Sequence, residues 1–131
     1  MIALDTNVLV RFLVEDDEGQ SEAAAALIER TIAAEEVLFV SDVVLCELVW
    51  VLTGSYRISR NDSAKTMRDL LRATHLTFAE PDQLVRALSA FEKSKGDFAD
   101  YLIREHARSA GCDAVATFDR ALLRERGFAV P

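Results

Sequence analysis

Met1-Ile2-Ala3-Leu4-Asp5-Thr6-Asn7-Val8-Leu9 opens the chain with four apolar residues, an acid, a threonine and a second apolar segment. The first run suits a short buried strand. Asp5 or Thr6 suits the cap of a short helix reaching Val14. The arrangement recurs near the far end, where Ala114-Val115-Ala116-Thr117-Phe118 leads into Asp119. Apolar runs at 2–4, 37–40, 76–78 and 114–117 read as strands, with a weaker fifth at 128–130, and longer helical patterns separate them. Strands alternating with helices imply an α/β fold on a parallel sheet. The runs are continuously apolar, as expected of strands covered on both faces.

The helices carry start and stop signals. An alanine-rich stretch at 20–34 has Ser21 as a candidate cap, and Ser41 precedes a helix at 42–53 with Gly54 as a stop. Ser59-Arg60-Asn61-Asp62 resembles a capping box with Asp in the place of Glu. Pro81 suits the first turn of a helix to about Lys95; Gly96 breaks it, and Asp97 can cap the next helix, which ends near Gly111.

The 131 residues are expected to form a single domain over 1–131 with one sizeable core. Half of them are apolar, which excludes a disordered chain. No run approaches the ~20 residues of a membrane span, and the N-terminus lacks the basic-then-apolar pattern of a signal peptide. No membrane association and a cytoplasmic location are therefore expected. Cys46 and Cys112 do not make a disulfide framework and read as small core residues. His75 and His106 show no metal-ligand spacing and read as surface or half-buried side chains. The net charge of −7 argues against a general nucleic-acid-binding surface. Two facts moderate that argument. Arginine outnumbers lysine twelve to three, and arginine suits phosphate. Divalent ions held by the acids would also offset part of the charge.

Four acids stand out. Asp5 and Asp119 end apolar runs, Glu47 interrupts the apolar stretch 43–52, and Asp100 lies in Asp97-Phe98-Ala99-Asp100-Tyr101-Leu102-Ile103. Acids are rarely placed in apolar surroundings without a partner, and no lysine or arginine lies inside these runs. In open parallel sheets, sites form beyond the carboxyl ends of the strands. Asp5 and Asp119 lie just past such ends, as does Ser41 after the second strand. Glu47 follows Ser41 within two helical turns, and Asp100 is in the first turn of its helix. All four are therefore expected at one sheet edge. Clustered carboxylates repel, and a hard divalent cation removes the repulsion. Such an ion activates water and holds a phosphate, which suggests phosphodiester hydrolysis, although charge alone does not separate it from other metal-assisted phosphoryl chemistry.

Each acid also has an ordinary explanation. Asp5 and Asp97 suit helix caps, Asp100 at the third helical position gains from the helix dipole, and Asp119 suits a turn into 121–124. Glu47 has no such explanation. Leu9, Phe12 and Leu13 read as core. Arg104 and Arg108, four apart on one helix, read as a solvated face or as phosphate ligands. Trp50, Tyr56 and Phe91 read as packing residues or as stacking platforms for bases.

The blocks Met1-Ile2-Ala3-Leu4-Asp5-Thr6-Asn7-Val8-Leu9, Ser41 with Glu47-Leu48, Asp97-Phe98-Ala99-Asp100 and Thr117-Phe118-Asp119 resemble, in order, the four signature blocks of the PIN-domain ribonucleases, and among these the VapC toxins of bacterial toxin–antitoxin pairs. The resemblance spans almost the whole chain. It implies a three-layer α/β/α sandwich around a central, mostly parallel sheet of four to five strands. It implies that Asp5, Glu47, Asp100 and Asp119 form an acidic site binding Mg²⁺ or Mn²⁺, with Asp5 and Asp100 as principal ligands. Asp97 would be an accessory acid, Thr6 and Thr117 would supply orienting hydroxyls, and Asn7 would help shape the pocket. Both Asp97 and Asp100 fit the third acidic position; Asp100 is preferred because Tyr101-Leu102-Ile103 follows it. The implied activity is endonucleolytic RNA cleavage by metal-activated water. The implied partners are a VapB-type antitoxin, whose tail would pack near residues 8–14, and a second copy of the chain. Other functions fit less well. A small aspartate-dependent phosphatase wants a second Asp at position 7, which is Asn. A receiver domain wants an Asp after a middle strand and a Lys after a later one, and both are missing. A silent module that only titrates an antitoxin would not need all four acids.

Overall fold

A computed structural model describes residues 1–131. The chain divides into two compact units, Met1–Ala79 and Glu80–Pro131.

In the first unit, β1 (Ile2–Ala3) leads through α1 (Thr6–Val14) and α2 (Glu18–Ala33) to β2 (Leu38–Phe39). From there α3 (Asp42–Trp50), a π-helical turn (Val51–Ser55) and α4 (Arg60–Arg72) lead to β3 (Leu76–Thr77). The strands form a parallel sheet in the order β1-β2-β3. Ile2 pairs with Leu38 and Ala3 with Phe39, and these in turn pair Leu38 with Leu76 and Phe39 with Thr77. This register sets Asp5 and Ser41 level with each other, each two residues past its strand on the carboxyl edge. Leu4, Leu9, Val10, Leu38, Val40, Leu45, Leu48, Leu52 and Met67 are among the buried residues of this unit.

In the second unit, α5 (Pro81–Lys93) and α6 (Phe98–Ser109) precede β4 (Val115–Ala116), a 3₁₀ turn (Leu122–Arg124) and β5 (Phe128–Ala129). The strands β4 and β5 pair in parallel. Phe91 meets Phe98 edge to face at 6.3 Å, and Tyr101 meets Phe128 at 6.4 Å. Leu84, Leu88, Leu102 and Leu122 are buried beside these aromatics in the sequence. Glu105, only 4% exposed, receives Arg86 Nε at 2.7 Å and lies 3.2 Å from Arg108 Nη1. A buried carboxylate is thus held by two guanidinium groups.

All five expected strands and the parallel α/β arrangement are present. The strands are distributed over a three-stranded and a two-stranded sheet. Five local expectations change. Ile2 and Ala3 of β1 are exposed, so the first strand is not covered on both faces. The cap of α2 is Asp17, whose carboxylate accepts from Gln20 N at 3.0 Å, whereas Ser21 Oγ donates to Arg11 O. A carboxylate at the helix start outweighs the low helix propensity of Gly19. Gly54 does not end its helix but lies inside the π-helical turn, where Tyr56 N reaches back to Val51 O. Cys112 is exposed in the turn after α6, and Cys46 is half-buried, so neither is a sealed core residue. Trp50 is 52% exposed rather than packed away, while Phe91 is buried as expected.

Candidate functional site

Asp5 caps α1, its Oδ1 accepting the Thr6 N–H at 2.8 Å. Thr6 is buried, and its hydroxyl donates to Glu47 Oε1 at 3.0 Å. That one hydroxyl ties the start of α1 to the middle of α3 and draws Glu47 to the edge where Asp5 emerges. Ser41 caps α3 by accepting from Val44 N. Asn7 is exposed and lines a hollow between α1 and α2.

In the second unit, Asp97 and Asp100 form a capping box at the start of α6, with the Asp97 N–H donating to Asp100 Oδ2 at 2.9 Å. Asp119 Oδ1 accepts from Ala121 N at 2.8 Å and caps the following turn. Thr117 Oγ1 accepts the Asp119 N–H at 3.1 Å. Burial, and then the like charges of Asp97, Asp119 and Glu125, push the Asp100 carboxyl above its usual range, against the opposite pull of the Asp97 N–H. Asp100 therefore sits in an acidic group of this unit together with Asp97, Asp119 and Glu125.

The sequence had suggested acids withdrawn from water. Asp5, Glu47 and Asp119 are exposed, and Asp97 and Asp100 are half-buried. Strand ends and helix starts lie at the rim of a fold. Glu47 shares its face of α3 with Val43 and Trp50, both exposed, so the apolar stretch around it is only partly core.

Glu125 escaped notice because Arg124-Glu125-Arg126 reads as a solvated charge run. It accepts the hydroxyl of the fully buried Tyr101 at 2.9 Å. Burial and that carboxylate raise the Tyr101 phenol, which keeps it a donor. The same oxygen accepts the Gly96 N–H at 2.7 Å, so Tyr101 anchors the loop that delivers Asp97. A Cβ at Gly96 would lie 2.7 Å from Leu122 Cδ2 and 2.7 Å from the Tyr101 hydroxyl. Gly96→Ala is therefore expected to cost about 1–3 kcal/mol by overpacking, read as a lower urea midpoint.

Carboxylate oxygens suit a hard divalent cation. The capping bonds engage one oxygen of Asp5, Asp100 and Asp119. An ionised carboxylate offers about four lone-pair sites, so capping a helix and ligating a metal are compatible roles. No three or more His, Cys, Asp or Glu side chains are gathered at metal-holding distance. The donor chemistry of these acids fits a hard divalent ion.

The PIN domain family model matches residues 2–128, and the chain belongs to that family. It is also similar to a VapC ribonuclease of Aquifex aeolicus (strain VF5), with 29% identity over 120 residues that cover 92% of this chain and 88% of that protein. No helix is long and apolar enough to cross a membrane.

Proposed function

We propose that this chain is a metal-dependent endoribonuclease, the toxin of a type II toxin–antitoxin pair, folded as one domain over residues 1–131 in the cytoplasm. In this reading Asp5, Glu47, Asp100 and Asp119 together hold Mg²⁺ or Mn²⁺. Thr6, Asn7, Asp97 and Thr117 support them. The observation that carries the reading is the repelling acid group around Asp100, in a chain whose first unit sets Asp5 and Glu47 on either side of Thr6. The VapC ribonuclease similarity supplies the substrate class.

When bound, a divalent ion lowers the pKa of water and offsets charge on a phosphate. The chain's own residues do the positioning. Thr6 fixes the rotamer of Glu47, the capping box fixes Asp100, and the Thr117 hydroxyl and the turn at 121–122 fix Asp119. RNA digestion with Mg²⁺ or Mn²⁺, and none in EDTA, is the expected result; no cleavage with either metal overturns the reading. Thr6→Val keeps the shape of the side chain and removes its hydrogen bond to Glu47. It is expected to lower cleavage by about 10–100-fold, the usual effect of losing a group that orients a metal ligand.

A VapB-type antitoxin and a second copy of the chain are the proposed partners. The hollow of about 460 Å³ between α1 and α2 supports the first, with Val8, Ala24 and Leu27 in its lining and Arg11 and Arg30 beside them. The exposed Val43 and Trp50 on α3 support a protein contact by the second.

A further inference from the structure

We propose that the hollow bounded by Lys93, Lys95, Arg120 and Arg124 is a subsite for the phosphodiester backbone of single-stranded RNA. The proposal rests on the nuclease reading for the kind of polyanion it names. The hollow has a volume of about 470 Å³ and brings four cations together with a single acid, Glu125. Lys93 ends α5 and Lys95 stands in the loop after it. Arg120 follows Asp119, and Arg124 closes the 3₁₀ turn. All four are exposed. Arg86 and Arg108 are paired with Glu105 and are not among the four.

Such a concentration of positive charge runs against the composition of a chain with a net charge of −7. Its place is informative. Arg120 adjoins Asp119 in sequence, Lys95 is two residues before Asp97, and Glu125 both lines the hollow and acts on Asp100. The hollow therefore borders the acidic group of this unit. A polyanion nearing carboxylates is repelled unless cations beside them hold its other phosphates. Arginine forks match phosphate oxygens, and lysines supply mobile point charges. An acidic protein segment is the rival occupant, and the hollow's place beside the acidic group of this unit favours the polyanion on which that group would act.

The test is fluorescence anisotropy of a labelled, mixed-sequence oligoribonucleotide in EDTA, over a salt series, with the wild type and the double variant Lys95→Gln/Arg124→Gln. Each cation removed from a single-strand contact lowers the slope of log K against log salt by about 0.7. The double variant is therefore expected to lose about 1.4 of slope and, if the curves meet at 1 M salt, roughly 25-fold in affinity at 0.1 M. Its melting curve should match the wild type, because both side chains are exposed. An unchanged slope and affinity overturns the subsite. So does a variant that loses binding to poly-glutamate while keeping RNA, which would give the hollow to an acidic protein. The expected loss of slope, together with no cleavage by the wild type in either metal, supports the subsite and removes the nuclease reading alone.

Discussion

Asp5→Asn and Asp100→Asn are each expected to lower RNA cleavage by about 10³-fold or more while leaving the metal-free melting curve unchanged or slightly raised. Asparagine retains a side-chain oxygen that can take the Thr6 N–H at position 5 or the Asp97 N–H at position 100, so the helix caps survive. At position 100 the exchange also removes the mutual repulsion with Asp97, Asp119 and Glu125. What is lost is the formal charge that attracts a divalent ion. Metal assistance is worth several kcal/mol of barrier, and about 4 kcal/mol corresponds to 10³ in rate. Alanine separates the two roles. Asp100→Ala is expected to lose both the activity and about 0.5–2 kcal/mol of stability, because it deletes the cap as well. A set in which Asp100→Asn cleaves RNA like the wild type, while Asp100→Ala is only less stable, would reduce Asp100 to a capping residue.

The compatibility of those two roles was the least legible feature of the sequence. Read one residue at a time, a cap and a ligand look like competing explanations. The structure shows Asp5, Asp100 and Asp119 engaged as caps through one oxygen each, a use that leaves ligating capacity in place. The strand positions and most helix starts were readable, because apolar runs and capping residues are local signals. The distribution of the strands over two sheets was not. Whether a two-residue strand finds a neighbour depends on contacts distant in sequence. Burial was misread at Trp50, because an apolar residue in an apolar stretch does not say which side of its helix is covered, and at Cys112, because it falls in the exposed turn after α6. Tyr101 and Glu125 lie 24 positions apart, and neither position advertises the other. The Thr6–Glu47 hydrogen bond spans 41 positions; the sequence pointed to the hydroxyl but not to which carboxylate it holds.

Mn²⁺ at a concentration of 100 times its dissociation constant is expected to stabilise the wild type by about 2.7 kcal/mol, or roughly 10 °C for a chain of this size. The probe matters more than the size of the shift. The single tryptophan, Trp50, lies in the unit Met1–Ala79, whereas Asp100 and Asp119 lie in Glu80–Pro131. If the four acids share an ion, Trp50 fluorescence must report a metal-dependent transition that Asp100→Asn abolishes. A Trp50 transition that ignores the metal, or that shifts equally in Asp100→Asn, would mean that the acids of the two units do not share a cation. The pH dependence gives a second check. The Asp100 carboxyl is raised in the folded protein by burial and by like charge, so between its unfolded and folded values the native state binds more protons than the unfolded chain. Metal-free stability from this group is then fully present below the ordinary carboxylate value and is lost as the pH rises through the raised one. Metal binding needs the deprotonated carboxylate, so its stabilisation grows over the same interval. Melting temperatures with and without Mn²⁺ should therefore diverge as the pH rises across that interval, and Asp100→Asn should remove the divergence, because the group whose proton opposes the metal is gone.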